Sequence, residues 1–179
     1  MTPLTLRVAR RRMQIRVDDL QGPEIVGLLQ THVAFCRASS PPESTHVLDL
    51  DALRSPDITF WSAWDGASLL GCAALKELDP SHGEVKSMHT VVQGRRRRVG
   101  LRLLDHIVSA GRSRGYRRLS LETGSMDAFA PARALYARYG FVVCAPFASY
   151  RLDSNSVFMT LDLANGTFDA TVATGPGLR

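Results

Sequence analysis

Apolar residues along this chain fall into two rhythms, and the switches between them mark its elements. Alternation over Gln14–Val17 predicts a first strand. Gly22-Pro23 then opens a stretch in which Ile25, Val26, Leu28, Leu29 and Val33 recur at helical spacing, predicting a helix that ends before Ser39–Pro42. A second short helix is expected near Val47–Leu53. Ile58–Trp64 and Ser68–Leu75 are strand-favouring runs on either side of Asp65-Gly66, a strong hairpin signal that makes them antiparallel neighbours, with Phe60, Trp61 and Trp64 in their core. After the turn-like Asp79–Gly83, Glu84–Val92 reads as another strand. Gly100, Leu103, Leu104, Ile107, Val108 and Gly111 form one stripe of a helix that starts after residue 98 and is closed by Gly115. Arg117–Glu122 reads as a strand and Pro131–Tyr139 as a helix with Pro in its first turn and Gly140 at its end. Phe141–Cys144 and Ser156–Leu163 are the last strands. This order predicts an α/β fold: a mixed, mostly antiparallel central sheet of about seven strands with helices on both faces. Residues 84–122 form its parallel strand–helix–strand crossover.

Length and composition narrow the picture. At 179 residues the chain suits one domain, expected over residues 13–164, with a basic extension at 1–12 and a loose Gly- and Thr-rich tail at 165–179. No stretch approaches the ~20 apolar residues of a membrane span, and no apolar signal segment follows the N-terminal arginines, so a soluble, cytoplasmic protein without a membrane partner is expected. Cys36, Cys72 and Cys144 are too widely spaced for a disulfide framework or paired zinc ligands; they read as small core residues, and no metal is expected. The net charge of +5 is concentrated in residues 7–12 and 95–98, without interleaved aromatic residues, which gives a nucleic-acid partner little support.

The second basic group stands where a strand turns into a helix. Backbone N–H groups there lack intrahelical acceptors and face the positive end of the helix dipole, so an anionic phosphate fits. Arg95, Arg96, Arg97 and Arg98 add charge, and Gly100 permits close approach. The competing reading is a solvated turn in which Gly100 serves helix packing alone.

The run Glu84-Val-Lys-Ser-Met-His-Thr90, then Arg95-Arg-Arg-Arg-Val-Gly100 leading into Leu101-Arg-Leu-Leu104, resembles the acetyl-CoA motif of the GCN5-related N-acetyltransferase superfamily. Leu135-Tyr136-Ala-Arg-Tyr-Gly140-Phe141 is similar to that family's late helix and following strand, so the likeness covers roughly residues 84–144. Pro146-Phe147, Tyr150 and Asn155–Met159 further resemble a bacterial subgroup of small acetyltransferases. The resemblance implies the family's acyl-CoA N-acyltransferase fold and acetyl-CoA as co-substrate. Backbone around Met88, His89 and Thr90 would pair with the pantetheine arm, and backbone of Arg95, Arg96, Arg97, Arg98, Val99, Gly100 and Leu101 would hold the pyrophosphate. Two positions depart from the family pattern. Arg98 stands where a Gly is expected, so the turn must either use a conformation open to L-residues or hold phosphate less closely, and Phe129 stands where many members have Asn.

The resemblance also implies amide formation by direct attack in a ternary complex, with Tyr136 protonating the departing sulfur and the N–H near Thr90 polarising the carbonyl. Glu84 is the candidate base, directly or through water, against the alternative of an exposed strand-end Glu paired with Lys86 or an Arg. His89 lies on the opposite face from Glu84 unless a bulge intervenes, and is either a packing residue or a second candidate base. Glu122, Thr123 and Ser125 contact the acceptor or cap the late helix, with capping expected of Ser125 and Asp127. The expected acceptor is a primary amine of a small molecule or amino acid. Transfer to a protein or peptide, or acyl-CoA sensing without turnover, are the alternatives. Homodimers are common in the family, and no residue marks an interface.

Overall fold

The computed structural model describes residues 13–164; the extension 1–12 and the tail 165–179 expected from the sequence lie outside the described residues. Strands β1 (Gln14–Val17), β2 (Ile58–Asp65), β3 (Ser68–Asp79), β4 (His82–Thr90), β5 (Arg118–Gly124), β6 (Val142–Val143) and β7 (Ser156–Asp162) make one sheet in the order β1-β2-β3-β4-β5-β7-β6. Every neighbouring pair is antiparallel except β4–β5, which is parallel. Helices α1 (Pro23–Ser39) and α2 (Leu50–Leu53) cover one face, and α3 (Val99–Ser113) with α4 (Ala130–Tyr139) covers the other. This is the mixed, mostly antiparallel seven-stranded architecture that the hydrophobic pattern predicts.

Local chemistry explains most boundaries. The β2–β3 hairpin closes at Asp65↔Ser68 with Gly66 at φ 61, a sign that glycine tolerates without a Cβ penalty. At the end of α3, Gly115 adopts φ 80, and the Tyr116 and Gly115 N–H groups return to the carbonyls of Gly111 and Arg112. The α3 stripe of Leu103, Leu104, Ile107 and Val108 packs on Ala73, Leu75, Val85, Leu119 and Leu121, while Ile25, Leu28, Leu29 and Leu53 pack on Phe60, Cys72 and Ala74. Alternate residues of β3 thus serve opposite cores.

Several expectations need correction. The second helix is only the single turn Leu50–Leu53, capped by the Asp49 carboxylate accepting from the Ala52 N–H at 2.8 Å. Of Phe141–Cys144, only Val142 and Val143 form strand, exposed at the sheet edge, while Phe141 turns into the core. Only Cys72 is a core cysteine; Cys36 and Cys144 are half-buried. The hairpin aromatics Phe60, Trp61 and Trp64 are buried as expected.

The consequential departure is in β4. Cys72 pairs with His89, but Ala74 pairs with Lys86, so two steps along β3 are matched by three along β4. The extra residue is accommodated at Ser87, whose φ is 50. Val85 and Met88 therefore both pack toward α3, whereas His89 shares the α1 face with Glu84 and Lys86. A regular strand would have separated Glu84 from His89.

The β3–β4 contact at the bulge leaves no room for a side chain at Gly71, where a Cβ would lie 2.6 Å from the His89 carbonyl oxygen. Gly71→Ala is expected to destabilise the fold by about 2 kcal/mol, lowering Tm by roughly 4–8 °C in a thermal melt. An unchanged Tm would mean that the two strands are further apart than described.

Candidate active site

Strands β4 and β5 pair at only three positions, His82↔Arg118, Gly83↔Leu119 and Glu84↔Ser120. Both continue beyond that point, β4 to Thr90 and β5 to Gly124, so they part and leave a gap in the sheet. The Val91 N–H donates to Leu70 O on β3 at 3.0 Å, and the His89 carbonyl also faces β3, against Gly71. By alternation, Met88 and Thr90 present their backbone groups to the gap, where an extended polar ligand can complete the ladder. Of the three backbone units expected to meet the pantetheine, His89 is thus turned away.

Past Thr90 the chain makes a tight turn at Val92–Gly94 and then the exposed Arg95–Arg98 run before α3 begins. The first bond of α3 runs from the Arg102 N–H to Arg98 O, 3.0 Å, which leaves the N–H groups of Val99, Gly100 and Leu101 without intrahelical acceptors. Arg96 and Arg98 have φ 60 and 59, and Arg97 between them does not. The Arg95 and Arg97 N–H groups bond back to Val92 O at 3.2 Å and Gly94 O at 3.3 Å, so those of Arg96 and Arg98 are the ones this alternation leaves for an anion. The turn therefore keeps a glycine-type geometry although it holds arginine. Arg97 pairs with Asp65 of the β2–β3 hairpin, so its guanidinium is engaged there. A Cβ at Gly100 would meet Leu135 Cδ2 at 3.1 Å and Met88 Cε at 3.4 Å, so this glycine also lets α3 approach α4.

Tyr136 projects from α4 into the core beside Phe141, with ring centroids 5.8 Å apart. Its residue is only 7 % exposed, and burial, reinforced by the charge of Glu122, pushes its hydroxyl well above the ordinary phenol range. It keeps its proton at any physiological pH.

The α1 face of the gap carries the acidic groups. Glu84 is 3 % exposed, neither at the strand end nor in solvent, and its Oε1 accepts from Lys86 Nζ at 3.0 Å and Tyr150 OH at 2.6 Å. Lys86 also donates to the Tyr150 oxygen at 2.8 Å, closing a triangle. Burial, then the charge and hydrogen bond of Glu84, hold the Tyr150 phenol protonated. Glu122, on β5, accepts from Ser156 Oγ at 2.7 Å, and burial raises its carboxyl above the usual range against that hydrogen bond. The His46 ring meets Tyr150 edge-on at 5.1 Å. Ser125 does not cap α4: its Oγ donates to Ser154 O, and neither the Asp127–Phe129 turn nor α4 has a side-chain cap. Arg133 instead donates to the carbonyls of Gly124 and Met126. Phe129 covers Gly124 and stacks edge-on with Phe35 of α1 at 5.2 Å.

Beside these lies a contact the sequence does not signal. His32 Nδ1 of α1 is 3.2 Å from His89 Nδ1, with the rings edge-to-face. Burial and His89 lower the His32 pKa to about 4, and burial with the charge of Arg95 lowers that of His89. Nothing local in the chain links His32 or His46 to β4 or Tyr150, whereas Tyr150 lies in a stretch whose family likeness is readable. Among the described residues no group of three or more His, Cys, Asp or Glu is placed to hold a metal, and no helix is long and apolar enough to cross a membrane.

Arg98→Gly removes a Cβ from a left-handed position and is expected to stabilise the fold by about 0.5–1 kcal/mol, whereas Arg98→Ala, which retains the Cβ, gives no such gain; denaturant midpoints decide. The unfolded chain protonates His32 near its ordinary 6.5 while the folded chain resists until about 4, so its contribution to stability is full above 6.5 and is lost as pH falls toward 4. Tm measured from pH 7 to 4.5 should fall less steeply in His32→Gln than in the wild type, and parallel slopes would refute the assignment.

The family model for the acetyltransferase (GNAT) family matches residues 25–141. An uncharacterized N-acetyltransferase of Bacillus subtilis is 54 % identical over 151 residues, covering 84 % of this chain and 100 % of that protein. A solved acyl-CoA N-acyltransferase structure from Klebsiella pneumoniae superposes with a TM-score of 0.72 at 27 % identity, covering 84 % of this chain and 97 % of the other. A GNAT acetyltransferase from Elizabethkingia anophelis, solved with acetyl-CoA bound, gives a TM-score of 0.62 at 15 % identity, covering 84 % and 97 %. With a family match that spans the parted strands, the arginine turn and Tyr136, and a close relative shared over its full length, this chain belongs to the GNAT family and is an acyl-CoA-dependent N-acetyltransferase.

Proposed function

We propose that the chain transfers acetyl from acetyl-CoA to a primary amine of a small molecule or amino acid, by direct attack in a ternary complex seated at the parting of β4 and β5. The observation that carries this reading is the gap itself: it has unpaired strand edges, an anion-ready turn at one end and buried acidic groups on the α1 face. The residues present fit the co-substrate. Met88 and Thr90 would pair with the pantetheine arm, and within the Arg95–Leu101 turn the N–H groups of Arg96, Arg98, Val99, Gly100 and Leu101 would receive the pyrophosphate, those of Arg95 and Arg97 being bonded to Val92 O and Gly94 O. Acetyl-CoA supplies the activated acetyl group.

The thiols support direct transfer over an acetyl-cysteine route. Burial pushes Cys36 up to about 11 and Cys72 to about 12, and also raises Cys144, so none is a thiolate at neutral pH. Tyr136, held protonated, is the acid that gives its proton to the departing sulfur. Glu84 and Glu122 provide the anionic side that attracts an ammonium, with Lys86 and Tyr150 fixing the Glu84 carboxylate in place.

A small acceptor is favoured over a peptide because the α1 face is roofed. The β6–β7 connection sets Tyr150 on Glu84, Asn155 Nδ2 donates to Ser44 Oγ at 3.2 Å, and Ser125 Oγ donates to Ser154 O at 2.9 Å. A peptide would need an open groove there.

Calorimetric titration with acetyl-CoA should give a micromolar dissociation constant. In a CoA-release assay with a panel of alkyl primary amines, Tyr136→Phe should lower kcat about 100-fold while leaving acetyl-CoA affinity within about twofold. Absence of acetyl-CoA binding by the wild type would end this reading, and full turnover by Tyr136→Phe would remove the tyrosine from it.

A further inference from the structure

An alkyl amine with a pKa near ~10.4 arrives as an ammonium at neutral pH and must lose a proton before it attacks. The carboxylates nearest the gap are already engaged: Glu84 Oε1 receives two hydrogen bonds and Glu122 Oε1 receives one. The imidazole pair is differently placed. The Ser87 bulge brings His89 to the α1 face on the strand that lines the gap, and His32 meets it Nδ1 to Nδ1 at 3.2 Å. That contact is a hydrogen bond only if one Nδ1 carries a hydrogen and the other a lone pair, so the pair holds one shared proton and accepts one positive charge at most. When His89 donates, its Nε2 carries the free lone pair.

Resting on the reading of the preceding subsection, we infer that His89 Nε2 takes the proton from the acceptor ammonium, and that His32 is the positioning residue that holds the His89 tautomer and shares the charge through the Nδ1–Nδ1 hydrogen bond. An N–H bond of the ammonium breaks and a His89 Nε2–H bond forms. The neutral amine then attacks the acetyl carbonyl and the carbon–sulfur bond breaks. Of the two protons the nitrogen loses, one leaves to solvent by way of His89, and the other balances the proton that Tyr136 gives to sulfur.

The surroundings suit this role. Facing the pair are Cys36 on α1, with Sγ 3.9 Å from both ring nitrogens of His32, Arg95 from the turn before α3, and Glu122 of β5, whose charge acts on Cys36. Phe35 meets both His89 and Phe129 edge-on and adds an apolar wall. Cys36 remains a thiol, and Arg95 and burial keep His89 neutral at pH 7, ready to accept. His32 is the more buried of the two and has His89 as its nearest ionisable neighbour, which is why the proton-accepting role falls to His89.

The test compares two nucleophiles. Transfer from acetyl-CoA is measured for the alkyl primary amine that the wild type uses fastest and for hydroxylamine, which is already neutral at pH 7. His89→Gln should lower kcat/KM for the alkyl amine about 100-fold and for hydroxylamine by less than about 3-fold, and should replace the acid limb set by His89 with a rise that continues toward the pKa of the amine itself. His32→Gln, which can still accept from Nδ1, should keep most activity, while His32→Phe should lower the alkyl-amine rate about 10-fold and move the acid limb to lower pH. Nitrogen-15 NMR titration of the wild-type imidazoles provides a check independent of variant folding, with His89 Nε2 expected as the titrating nitrogen. Equal losses with both nucleophiles, an unimpaired His89→Gln, or a His89 Nε2 that carries hydrogen throughout the titration would overturn the assignment. Failure of the wild type to acetylate any amine would instead overturn the preceding reading, and this one with it.

Discussion

The parting of β4 from β5 is the constraint on which the rest of this molecule depends, because it opens a sheet that is otherwise continuous from β1 to β6. Each strand is held by its outer neighbour. β5 is paired along its whole length with β7, from Arg118↔Asp162 to Gly124↔Ser156, and β4 stays paired with β3 up to Thr90. Neither is free to close on the other, and the Ser87 bulge adds local twist to β4 just after the last parallel pair at Glu84↔Ser120. Backbone groups in such a gap need polar partners, so a ligand with its own amide groups is a natural occupant.

The same parting organises the charges. On one side of the sheet, α3 starts just past the arginine turn that follows β4, so its unpaired N–H groups and the left-handed Arg96 and Arg98 form an electropositive end. On the other, the bulge sets His89 on the face already occupied by Glu84 and Lys86, across from Glu122 of β5. Burying carboxylates there is tolerable because each is hydrogen-bonded, Glu84 by Lys86 and Tyr150, Glu122 by Ser156. Tyr136 stands on the α3–α4 side, within reach of the Glu122 field but without solvent, which keeps it a proton donor.

Membership of the GNAT family explains why so much of this arrangement is legible in the primary structure. The Asp65-Gly66 hairpin, the α3 stripe with Gly115 behind it, and Gly140 after α4 are local signals, since turn chemistry and helical periodicity act over a few residues and survive any rearrangement elsewhere. The arginine turn is legible for the same reason, since strand, turn and helix N-terminus follow one another in the chain, whereas Tyr136 is legible only through the family resemblance of Leu135–Phe141.

What the sequence by itself determined is therefore the order of elements, the two hydrophobic faces and the position of the anion-ready turn. Tertiary structure alone decided that β4 is bulged, that His32 reaches His89 across 57 residues, and that Tyr150 of the β6–β7 connection joins the Glu84–Lys86 pair. It also decided that Ser125 bonds the β6–β7 connection instead of capping α4. A bulge changes the face of every later residue in a strand while leaving composition nearly untouched. Partners brought together by packing leave no spacing rule in the chain, and the side chains of the α1 face are of that kind.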